Sequence, residues 1–214
     1  MRARDAHLAR GRPSTSGAAR QRVCAEAARI MAEEGVNDFQ LAKRRATQRL
    51  NLPEGRNLPS NHEVEEALQQ YLALFHGARL VSDLGRLRAA ALEAMRFLAR
   101  HEPRLVGPVL TGIVTPSSEV QLHICADTPE EIALLFAEHR IPADQGERRL
   151  RFGGDRELRV PAYRFVADGV PIEVCVLTHA AARETPLSPV DGRPMQRANQ
   201  REVESLLAEP NPAT

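Results

Sequence analysis

The stretch "VGPVLTGIVTPSSEVQLHI", Val106 to Ile124, decides how the chain is read. Two glycines and a Thr-Pro-Ser-Ser turn separate an apolar run from a segment that alternates Glu119, Gln121 and His123 with Val120, Leu122 and Ile124. Alternation with period two is a strand signature, and it places the polar set on one side and the apolar set on the core side. The spacing predicts a strand over 105–109, a loop, and a second strand over 119–125.

Further strands are expected C-terminal to this stretch, at 149–152, 163–166 and 170–177. A helix over 129–139 opens with Pro129 after Asp127 and Thr128, and Glu130 and Glu131 stand in its first turn. Asp168-Gly169 between two strand-like runs predicts a two-residue hairpin, making the last two strands antiparallel neighbours. On the final strand Ile172, Val174 and Val176 share one face, and Glu173 lies on the other. Two strands that project acids from one sheet face make a metal-site geometry if they are neighbours. A loop at 189–198 and a closing helix over 198–209 complete this half.

N-terminal to the quoted stretch the periodicity is helical. Residues 1–17 form an arginine-bearing segment without apolar periodicity and are expected to be a disordered basic tail. Helices follow from Ala18 to Gly35 and from Asp38 to Leu50. A third carries Val64, Leu68 and Leu72 behind a Ser60/Glu63 capping box, and a fourth runs from Leu80 to Leu98 until Pro103 stops it. The chain therefore divides into a tail (1–17), a helical region (18–103) and an α+β domain (104–214).

Composition sets bounds on partners. With 29 basic and 28 acidic residues the net charge is +1, so no global field draws the protein to nucleic acid or an anionic membrane. The absence of Trp argues against a stacking platform for single strands. Three scattered cysteines, no apolar run of bilayer length and no secretory leader lead us to expect a cytoplasmic protein with reduced thiols and no membrane partner.

Gly107-Pro108, ten residues, then Glu119-Val120-Gln121-Leu122 resembles the signature of the nucleotidyltransferase (DNA polymerase β-like) superfamily: Gly-Ser, ten residues, Asp-x-Asp. "TPSSEVQL" is similar to that family's Thr-Pro-x-Ser-Asp run, and Ile172-Glu173-Val174 to the strand that supplies its third carboxylate. The resemblance spans about Val106 to Leu177. It implies an N-terminal helical region followed by a nucleotidyltransferase-like mixed β-sheet with flanking helices.

It also implies metal-dependent nucleotidyl transfer to some acceptor. Glu119, Gln121 and Glu173 would be the catalytic and Mg²⁺- or Mn²⁺-binding residues, and Gly107, Thr111, Gly112 and Arg193 the nucleotide-binding ones. Two departures bear on activity. Gln121 supplies an oxygen but no charge where the family has a carboxylate, and Pro108 supplies neither the hydroxyl nor the N–H of the family's Ser. Whether this is an enzyme thus stays open between metal-dependent transfer and a pseudoenzyme that senses a nucleoside triphosphate or binds a protein. A DNA-binding regulator using the basic helix around Lys43, Arg44, Arg45 and Arg49 is a third reading, for which nucleic acid would be the partner.

Overall fold

The computed structural model describes residues 15–53 and 58–208. Most of the expected basic tail, residues 1–14, lies outside them. Helix α1 (Thr15–Glu34) begins three residues before the expected start and ends where Gly35 takes φ 70°. Asp38 caps α2 (Phe39–Arg49) by accepting from the Leu41 N–H at 2.7 Å. Ser60 and Glu63 form the expected reciprocal capping box at the start of α3 (Asn61–Phe97).

That third helix corrects the sequence reading, which split it in two near residue 76. Gly77 and Gly85 lie inside it, and each costs the helix only about 1 kcal/mol against Ala. Packing offsets that cost. Val64, Leu68 and Leu72 join a core with α1 and α2, while Leu87, Ala91, Met95 and Leu98 join the core under the sheet. Leu80 packs against both, so one 37-residue helix is common to the two cores.

After a 3₁₀ turn at 99–101 the chain enters β1 (Arg104–Val106), the one-turn helix α4 (Pro108–Thr111) and β2 (Val120–Cys125). The expected strand over 105–109 is cut short here. Gly107 takes φ 72°, and Pro108, whose fixed φ suits the first position of a helix, redirects the chain into α4. Helix α5 (Pro129–Glu138) precedes β3 (Asp144–Arg151), β4 (Glu157–Ala167) and β5 (Val170–Leu177); α6 (His179–Ala182) and α7 (Gln200–Ala208) follow.

The protein is therefore a mixed α+β structure with one five-stranded sheet, in the order β1-β2-β5-β4-β3. Strands β2 and β5 pair in parallel and every other neighbour is antiparallel. Asp168 (φ 48°) and Gly169 (φ 73°) both take positive φ, as a tight hairpin matched to strand twist requires. Both β3 and β4 are longer than expected, since charged residues on both faces of the edge strand conceal its period.

One face of the sheet is apolar. Val120, Leu122, Ile124, Ile172, Val174 and Val176 pack beneath α3, α5 and α7, and Phe136 sits against Tyr163 and Phe165 at 5.6 and 5.2 Å between ring centres. The opposite face carries Gln121, His123, Glu173 and Cys175, and toward β3 it becomes a small apolar cluster of Leu150, Phe152, Val160 and Ala162.

Candidate functional site

Three of the expected site residues meet in register. Val106 at the end of β1 lies opposite Gln121, and Gln121 lies opposite Glu173 across the parallel β2–β5 pair. Gly107, next in the chain after Val106, approaches so closely that a Cβ there would collide with the Gln121 Oε1 and lie 3.2 Å from its Cδ. The φ of 72° favours glycine at this position, and any Cβ would also force the Gln121 amide to turn aside. Glu119 is half-buried just before β2 begins. Burial and the charge of Glu173 push the Cys175 thiol up to about 12, and Glu119 adds to the same effect, so both acids act on that part of the face.

Glu173 is 1% exposed. Across β4, Arg164 stands opposite it and donates to its Oε1, and from β3 the Arg148 Nε lies 3.7 Å from its Oε2. A buried carboxylate needs such partners, because its desolvation is otherwise uncompensated. Both guanidiniums are about half-exposed, with side chains 43% and 48% accessible, so they roof the acid and carry a net positive charge to the surface.

The remaining expected residues are not drawn into this group. Thr111 is exposed on α4 with its hydroxyl 3.4 Å from the Pro108 carbonyl, and Gly112 (φ 86°) ends α4 by donating its N–H to the same oxygen at 2.8 Å. Arg193 is 85% exposed in the turn at 188–193, 3.9 Å from Asp191, and no hydrogen bond or ion pair joins it to Gly107, Gln121 or Glu173.

As arranged, these residues do not suit Mg²⁺ or Mn²⁺. Of the three oxygen donors one is a neutral amide packed on Gly107, and another is a carboxylate already engaged by two guanidiniums. A hard divalent cation needs oxygen ligands free to turn toward it. Among the described residues no group of three or more His, Cys, Asp or Glu side chains could hold a metal ion.

Sequence reasoning assigned no role to Arg148, Arg164 or the surroundings of His123. His123 is 4% exposed, and its Nδ1 is buried without a hydrogen-bond partner. Burial, then Arg197 and Arg148, push it down to about 4, so the ring is neutral at physiological pH. Beyond it Cys125 Sγ lies 3.0 Å from His179 Nδ1, whose Nε2 is 3.3 Å from Asp127. The Arg164–Glu173 pairing had a sequence signal. A two-residue hairpin at 168–169 sets Ala167 opposite Val170, and counting outward brings Arg164 to Glu173.

The basic helix α2 is largely committed to the fold. Lys43 is buried and donates to the Pro59 carbonyl at 3.1 Å and to Asn61 Oδ1 at 2.8 Å. Arg45 lies 3.7 Å from Glu34, and Arg49 pairs with Glu34 and Glu26 of α1.

Neither a protein-family model nor a curated protein sequence matches the chain. No helix among the described residues is long and apolar enough to cross a membrane.

Proposed function

We propose that the protein is a non-catalytic binding module with a nucleotidyltransferase-like sheet, which takes up a nucleotide through its arginine-roofed face without transferring a nucleotidyl group. The observation that carries this reading is the burial of Glu173 beneath Arg148 and Arg164. Two cations above one acid turn the acid-bearing face into a surface that favours phosphate oxygens, and guanidinium forks suit that geometry. Metal-dependent transfer is the competing reading. Gln121 standing between Gly107 and Glu173, in the order the resemblance implies, is the feature that favours it.

Equilibrium binding of labelled ATP and GTP, with Mg²⁺, with Mn²⁺ and with chelator, separates the two when run beside a transfer assay. The proposal expects binding that survives chelation, weakens about tenfold in Arg148→Ala, and is accompanied by no transfer of label. Label transfer that disappears in Glu119→Ala contradicts it.

A further inference from the structure

Toward the C-terminal ends of β2 and β5 the polar face opens into a cavity of about 270 Å³, and its walls include Arg104, His123, Cys125 and Arg197. None of the residues of the nucleotide proposal lines it. Its charged groups are unpaired in a specific way. Arg197 is half-buried and donates to two neutral acceptors, the Ala182 carbonyl at 3.3 Å and Thr185 Oγ1 at 2.8 Å. No carboxylate among the described residues comes within 4.0 Å of Arg197 or Arg104. Burial and then the neighbouring charge of Arg104 push Arg197 down instead.

Two acids share the cavity wall, and neither forms an ion pair with these arginines. Glu202 is spent on the N-terminus of α7, where its Oε2 accepts the Asn199 N–H at 2.6 Å while Asn199 Oδ1 accepts the Glu202 N–H at 3.1 Å. Glu102 is exposed at a left-handed backbone position, φ 47°. On β2, directly opposite Arg104 of β1, stands His123, more than nine-tenths buried with its Nδ1 unpartnered. Two guanidiniums without a carboxylate in contact, beside an orphaned neutral imidazole, make an arrangement that an incoming anion would relieve.

We propose that this cavity binds a small oxyanion ligand, a carboxylate or a phosphate, with its charged group held between Arg104 and Arg197 and against the imidazole of His123. The volume limits the occupant to a molecule smaller than the drug-sized ligands for which pockets run from roughly 300 to 1,000 Å³. The guanidinium forks recognise the planar or tetrahedral oxygens, and His123 supplies a hydrogen bond without adding charge.

Calorimetric titration of the full chain with inorganic phosphate, glycerol 3-phosphate, L-glutamate and succinate tests this, with far-ultraviolet circular dichroism to verify folding. The expected result is saturable binding of at least one probe at millimolar or lower concentration. It should weaken at least about tenfold in Arg104→Gln and in Arg197→Gln, the worth of one charge-assisted hydrogen bond, and persist in Arg159→Gln on the other sheet face. The ¹⁵N resonances of the His123 ring should shift on saturation. Should Arg197→Gln unfold, Arg104→Gln decides alone. Phosphate-only or carboxylate-only binding identifies the source of the oxyanion. No binding by any of the four probes, or binding unchanged in Arg104→Gln, overturns the proposal. Loss of ATP binding in Arg148→Ala with these titrations intact would bear on the nucleotide reading alone.

Discussion

The two faces of β2 and β5 are made by alternate residues of the same strands, yet they are held by different physics. On one, Ile172, Val174 and Val176 press against helices through many weak, non-directional contacts. On the other, Glu173 depends on two named partners, and His123 has a ring nitrogen with none. An apolar face tolerates imprecise neighbours and loses stability in proportion to the atoms removed. A polar face is satisfied pair by pair, so removing one group strands another.

The sharpest way to break that contrast is to strip Glu173 of its roof. Arg148→Ala with Arg164→Ala leaves a buried carboxylate unpartnered and should cost about 3–5 kcal/mol in chemical denaturation. Adding Glu173→Gln should recover much of it. A loss that Glu173→Gln fails to reduce would mean the arginines act by packing rather than by charge.

Next in size is a pH effect. The unfolded chain takes a proton on His123 near pH 6.5, which the folded chain refuses until about 4. Because the unfolded state binds more protons in this window, stability should fall as the pH drops from 6.5 toward 4. The full extent is roughly 3 kcal/mol, and the effect levels off below that range. His123→Gln should flatten this part of the stability profile, and an unchanged slope would show that the ring is not held neutral.

Gly107→Ala should cost about 1–3 kcal/mol, from a backbone region foreign to alanine and from collision with Gln121. In a Gln121→Ala background the cost should shrink to the backbone part, and strict additivity would deny the contact between the two. The smallest effect belongs to the apolar face. Ile172→Val should cost about 0.5–1.5 kcal/mol and should show no coupling to any charged residue opposite.

Legibility in the sequence follows the same division. Alternation on β2 and β5, the Asp168-Gly169 turn, the Ser60/Glu63 box and the Pro129 helix start are local signals, and each is realised in the structure. The continuity of α3 through Gly77 was hidden because it rests on two separate cores that meet only in three dimensions. Edge strand β3 was mostly missed for want of an apolar period in "DQGERRLR". Glu119, Gln121 and Glu173 could be picked out as a polar set from spacing. The placement of Arg148 over Glu173 could not, since it depends on how a third strand is laid beside the pair.

Whether Glu173 is held as an ion-pair partner or is available as a cation ligand is measured most directly by titrating Mn²⁺ into the protein with ATP and following the electron paramagnetic resonance signal of unbound Mn²⁺. With Glu173 engaged by Arg148 and Arg164, the signal should match that of ATP and Mn²⁺ alone and should be unaffected by Glu173→Gln. Stoichiometric loss of the free-ion signal that Glu173→Gln reverses would contradict the account.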